Sequence, residues 1–247
     1  MASPGYPRRT HEQTVVVEVG LRKQRFTIHP SILSNNSKFF EAAVSIRWRS
    51  RTGDPISLAE EDPTTFQAYV SYVYSGQISD HATTADSSSP ESSEAEHARR
   101  RFMLLGDLFV LGDHIEDKGL RNSVIDVLLD TSGKTGSAYT RTLIERAFEE
   151  TQENSALCRY VVDSALAYMS QEWLETNYDF LPALFLKRVM LGWANSTVDK
   201  GPKHKLPLDM PTCTYHEHDE EMPRDESCRA SSVSAVQANK RRKLQTK

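Results

Sequence analysis

The sequence predicts an α+β chain: a mixed helix and strand module, followed by an α-helical extension and a disordered tail. Three observations carry this reading. The valine-rich run from Thr14 to Val19 precedes a polar turn and a short alternating segment, the pattern of a hairpin. Apolar residues then recur at helical spacing in successive segments as far as Ala194. After Thr197 that period is lost and Pro, Lys, His, Asp and Glu dominate to Lys247.

Residues 1–13 carry prolines and arginines without an apolar period and are expected to be a flexible leader. Thr14 to Val19 reads as a strand because β-branched side chains fit a pleated, half-buried surface. Gly20 to Gln24 forms the turn, and Arg25-Phe26-Thr27-Ile28-His29 alternates as the second arm. Pro30 opens a short helix with Ile32 and Leu33. Ser34 or Asn36 is expected to cap the next, which carries Phe39, Phe40, Ala43 and Val44 on one face.

Pro55 to Leu58 reads as a short strand. Asp62-Pro63 supplies a cap and a first helical residue for Phe66, Tyr69, Val70 and Val73, and Gly76 suits the left-handed residue that ends such a helix. Residues 79–101 turn to Ser, Thr, Ala, Asp, Glu and His and are expected to form a disordered Ser-rich loop. Phe102 to Leu111 is apolar nearly all round, the mark of a buried helix, with Gly112 as its expected end. Asp117 caps a helix whose stripe is Leu120, Val124, Val127 and Leu128. Three more helices are expected near residues 142–151, 155–169 and 180–194, with Leu157, Val161, Ala165 and Tyr168 giving the clearest stripe. The domain reading is therefore a mixed module over 14–131, a helical extension over 140–195 and a tail over 197–247.

With 247 residues, a net charge of -4 and 38% hydrophobic residues, the chain has no global field to gather nucleic acid or an anionic surface. No apolar run reaches the roughly 20 residues that span a bilayer. Cys158, Cys213 and Cys228 are an odd, widely spaced set, expected to be free thiols of an intracellular chain in nucleus or cytoplasm.

Several separated motifs add a family resemblance. Val19-Gly20 followed by Phe26-Thr27-Ile28-His29, Ile32-Leu33 and Ser37-Lys38-Phe39-Phe40 resembles the start of BTB (POZ) domains. Tyr72-Val73-Tyr74-Ser75-Gly76 resembles the ending of that family's third helix. Leu111 to Asp117 and Asn122 to Asp126 are similar to the fungal branch of the family. The resemblance covers roughly residues 14 to 130. It implies a BTB/POZ-like fold, a small sheet surrounded by helices, that binds proteins, including a second copy of itself as a homodimer, with Ile32 and Leu33 of the first short helix as candidate contacts.

It also implies a cullin-type ubiquitin ligase as an alternative partner, the chain then serving as substrate receptor with Phe40 and Trp48 near the ligase-facing side. Two departures weigh on these assignments. Thr14 stands where many members carry an aspartate, and Trp48-Arg49-Ser50 lacks the glutamate of cullin-binding members.

Catalysis has no sequence warrant, and no cofactor or metal is expected. Gly133-Lys134-Thr135 matches only the end of a phosphate loop, since Leu128 stands where its first glycine belongs and a helix rather than a strand precedes it. Cys213, His216, His218 and Cys228 are zinc-type ligands at spacings unlike those of fingers. His29 and His114 are general-base types without a companion nucleophile, so structural hydrogen bonding is expected of them. Lys240-Arg241-Arg242-Lys243 is a candidate nuclear-import cluster, which opens a transcriptional-cofactor alternative. It has no interleaved aromatics, so direct nucleic-acid binding is not expected.

Overall fold

The computed structural model describes residues 14–50, 53–79, 94–135, 139–198, 207, 210 and 212–218. Among these residues the sheet has three strands, β1 (Val15–Val19), β2 (Gln24–Ile28) and β3 (Ile56–Leu58), in the order β2-β1-β3. β1 pairs antiparallel with β2, Val17 opposite Phe26, and parallel with β3, Val17 opposite Ile56. The alternation along β1 works as read: Val15, Val17 and Val19 all point into the core. Phe26, Ile28 and Ile56 join them from the flanking strands.

The connection between β1 and β2 turns on Gly20, held at φ 72. That left-handed conformation costs other L-residues roughly 1–2 kcal/mol. A Cβ at this position would also meet Pro63 Cγ at 3.1 Å and the Glu61 carbonyl at 3.4 Å. Gly20→Ala is therefore expected to destabilise the protein by about 2 kcal/mol, read as a lower thermal unfolding midpoint; an unchanged midpoint would refute the strain argument.

Nine helices occur among the described residues. α1 (Pro30–Asn36) and α2 (Lys38–Ser50) lead from the hairpin towards β3, and α3 (Pro63–Ser75) follows it. α3 has the expected ends: Asp62 Oδ2 accepts from Thr65 N–H at 2.8 Å, and Gly76 sits at φ 71. The cap of α2 differs from expectation. It is Ser37, whose Oγ accepts from Phe40 N–H at 3.1 Å while donating to the Ile115 carbonyl at 2.5 Å. A hydroxyl that caps one helix and satisfies a carbonyl 78 residues away is selected by tertiary contact, which local pattern does not reveal.

α4 (Glu94–His114) begins eight residues before the apolar run at Phe102. Its first turns are helix formers supported by an Arg100–Glu96 pair four residues apart, so the helix outlasts its buried stripe. The part of the expected Ser-rich loop from 80 to 93 lies outside the described residues. Gly112 does not end α4. It lies within the helix, where the missing Cβ leaves room for the side chains of Leu120 and Arg121, 3.1–3.4 Å from where that atom would be. The chain turns instead at Glu116, φ 54, and Asp117 starts α5 (Lys118–Thr135). Because α5 continues to Thr135, Gly133 to Thr135 are helical rather than the interhelical loop expected there.

α6 (Arg141–Glu149), α7 (Ala156–Tyr168) and α9 (Ala183–Val198) match the three later helices. Leu157, Val161 and Ala165 are fully buried on α7, whereas Tyr168 is partly exposed at the end of the stripe. α8 (Gln171–Asn177) was not foreseen: capped by Ser170, it buries no residue completely and so has little apolar period to read. α4 packs on α3, α5 and α6, and α7 packs on α5, α6 and α9. One continuous hydrophobic core thus runs from Val15 through Phe66, Leu108 and Val161 to Phe185.

Part of the stretch read as a tail is seated on the helices. Residues 212–218 lie against α5 and α7, with Tyr215 completely buried. The other described residues of that stretch are Thr197, Val198, Pro207 and Met210; residues 219–247, with Cys228 and Lys240 to Lys243, lie outside the description, as do residues 1–13.

Candidate protein-interaction surfaces

The residues singled out on the first helices separate into two kinds. Leu33 and Phe40 are 0% exposed. Phe40 belongs to an aromatic cluster beneath the sheet, 6.3 Å from both Phe66 and Tyr69 and 5.2 Å from Phe39. Neither residue can meet a partner directly in this conformation, because the inward stripe of each helix is used up in the core. Ile32, one position along α1, is only half-buried and stays available. Trp48 is helical within α2, and its side chain lies outside the described residues.

Beside Ile32, His29 and Tyr74 form a pair at the surface. The Tyr74 hydroxyl lies 2.8 Å from His29 Nδ1 and accepts from the His29 backbone N–H at 3.3 Å, fastening the start of α1 to the end of α3. His114 lies 2.9 Å from Glu61 Oε1. Both histidines are thus hydrogen-bonded to side chains of other elements. Thr14, where the family resemblance leads one to look for an aspartate, is exposed just before β1.

Charge is placed carefully where α3, α4 and α5 meet. Asp117 is buried, and its Oδ1 accepts from Leu120 N–H at 2.8 Å while Oδ2 accepts from the Tyr69 hydroxyl at 3.2 Å. Burial raises the Asp117 pKa, and those hydrogen bonds and the Arg121 charge offset only part of the effect. Burial likewise raises the pKa of Tyr69, reinforced by the Asp117 charge, so its hydroxyl remains a donor.

A second surface lies between α5 and α7. Arg121 grips the Glu217 carboxylate through Nε at 3.0 Å and Nη2 at 2.5 Å. Burial disfavours the Arg121 charge, but the hydrogen bonds and charge of Glu217 outweigh it and raise the guanidinium pKa. Asn122 pairs with the main chain of the same residue, Nδ2 donating to the Glu217 carbonyl at 3.0 Å and Oδ1 accepting from its N–H at 2.9 Å. His216 Nε2 lies 2.8 Å from Asp126 Oδ1. Tyr215 meets the Tyr160 ring edge-on at 5.9 Å and donates to Asp163 Oδ2 at 2.9 Å. Burial, then the Asp163 charge, raise the Tyr215 pKa and keep the phenol protonated.

Of the residues considered for zinc, His216 is therefore turned to Asp126, and Cys213 is half-buried. Among the described residues no helix is long and apolar enough to cross a membrane.

A three-stranded sheet wrapped by helices is a small α+β framework. A family model described as the BTB/POZ domain matches residues 7–90, so this part of the chain is similar to that family, and the fold is BTB/POZ-like. Domains of that family are protein-interaction modules. No curated protein matches the chain.

Proposed function

We propose that the chain is a non-enzymatic, intracellular adaptor that binds a second copy of itself through the surface around α1 and holds a further protein elsewhere. The match over residues 7–90, together with the α+β fold, is the observation that carries the adaptor reading. The division into a BTB/POZ-like domain over 14–131, an extension over 140–195 and a tail from 197 belongs to the same proposal, as does the fungal-type branch. In the proposed contact Ile32 supplies apolar area and the His29–Tyr74 pair a polar rim, the usual arrangement of a stable interface.

Sedimentation at high concentration tests self-association. A dimer is expected from the wild-type chain and a monomer from Ile32→Glu with an unchanged unfolding midpoint. Leu33→Ala, in contrast, is expected to destabilise the fold by about 3 kcal/mol through the cavity it leaves. A wild-type protein that is monomeric at every concentration would rule the homodimer out.

The receptor role for a cullin-type ligase is the weaker reading, since Phe40 is enclosed and Trp48-Arg49-Ser50 offers no glutamate. A pull-down with purified cullin at micromolar concentration decides it. A nuclear role rests on Lys240 to Lys243 alone, and an unchanged cellular distribution after their replacement by alanine would remove its support.

A further inference from the structure

We propose that the groove between α5 and α7 is a peptide-recognition site, occupied here by the chain's own residues 212–218. Its partner in trans would be an extended peptide with a tyrosine and, two residues on, a carboxylate. This site is separate from the α1 surface and does not rest on the self-association proposed there.

The contacts are those of a bound peptide more than of a core element. The side-chain amide of Asn122 satisfies both main-chain groups of Glu217, which holds the main chain there without regard to its sequence. Sequence is read at two side chains. Arg121 takes the Glu217 carboxylate in a forked, charge-assisted contact. The tyrosine inserts against Tyr160 until its hydroxyl reaches Asp163, so a phenylalanine would leave that carboxylate without this donor. His216, between them, faces Asp126 at the open edge of α5.

Two of the groove residues, Tyr160 and Arg121, are also held by groups outside the segment. Tyr160 is fixed by a 2.5 Å contact between its hydroxyl and Ser132 Oγ, and Arg121 Nη1 donates to the Gly112 carbonyl at 2.7 Å. The segment contributes only a short 3-10 turn, Thr212–Thr214, ahead of these contacts. A tethered occupant competes at an effective concentration of about millimolar. A partner peptide must therefore displace it, which makes occupancy of the groove a means of gating partner binding.

The test uses the full chain with Tyr215→Ala and Glu217→Ala, which removes both anchors of the tethered occupant. A fluorescein-labelled peptide spanning residues 209–219, with Cys213→Ser, is titrated and followed by anisotropy. Saturable binding at least tenfold tighter than to the wild-type chain is expected. Adding Asn122→Ala should weaken it at least tenfold, and a peptide with Tyr215→Phe and Glu217→Gln should bind at least tenfold more weakly than the parent peptide.

No saturable binding by the folded variant, or binding indifferent to Asn122→Ala, would overturn the proposal. Glu217→Ala alone, which leaves Tyr215 in place, is used if the double variant does not fold, with the same tenfold criterion. Loss of the folded state in both variants would make the segment an indispensable part of the core and overturn the proposal as well.

Discussion

Phe66→Ala is expected to cost about 4 kcal/mol of stability, the largest effect of any single substitution considered for this chain. Phe66 is fully buried where α3 meets the sheet. Its ring meets Phe26 of β2 edge-on at 5.0 Å and lies 5.7 Å from Tyr69 and 6.3 Å from Phe40. Truncation removes the apolar transfer energy of the ring and leaves a cavity whose walls come from three different elements, the sheet, α2 and α3. Those walls cannot close together without shifting the hairpin, so the cost falls towards the high end for such changes. Domains commonly hold only about 5–15 kcal/mol in reserve, and the variant should unfold at clearly lower urea. Leu21→Ala serves as control: Leu21 is 93% exposed at the hairpin turn, and its loss should change stability by less than about 0.5 kcal/mol. Equal midpoints for the two variants would contradict the placement of the core.

The second large effect is expected at Asp117, where replacement by alanine and by asparagine should differ. Alanine removes the N-cap of α5, worth about 1 kcal/mol, and takes away the acceptor of the buried Tyr69 hydroxyl, a further loss of about 2 kcal/mol. Asparagine keeps an oxygen for Leu120 N–H and an amide group that can donate to the Tyr69 oxygen, so its cost should stay below about 1 kcal/mol.

The pH dependence has a definite sign. Burial raises the folded-state pKa of Asp117 above its unfolded value, so the folded protein holds that proton more tightly. The associated stability is fully present below the ordinary carboxylate range and is lost as pH rises through the folded pKa. The advantage of wild type over Asp117→Asn should therefore shrink as pH rises from about 4 towards neutrality, measured by urea unfolding of both proteins across that range. An advantage that grows with pH would show that the hydrogen bonds to Asp117 outweigh its desolvation.

Much of the fold could be read along the chain because its signals are local. Val15, Val17 and Val19 alternate, and their burial alternates with them. Asp62-Pro63 and Gly76 bracket α3 through a side-chain cap and a left-handed residue, both properties of a few neighbouring residues. The same holds for Asp117 as a cap. What local pattern left open was direction. Ile32 and Leu33 are adjacent and equally apolar, yet only Leu33 reaches the core, because the rotation of α1 is set by α2, α3 and α5 packing around it. Gly112 reads as a helix end by residue type, and instead provides clearance for α5.

Strand alternation, the caps of α3 and α5 and the order of the elements other than α8 were thus determined by the sequence alone, since each depends on backbone preference and periodicity within a few residues. Only the tertiary structure decided which apolar side chains remain for partners and where the segment around Tyr215 lies. Tyr215, His216 and Glu217 form no periodic stripe, and their partners stand far away in the chain, Asp163 52 residues and Arg121 96 residues before them. Hydrogen bonds and ion pairs over such separations leave no mark on local pattern, and they exist only once α5 and α7 are packed side by side.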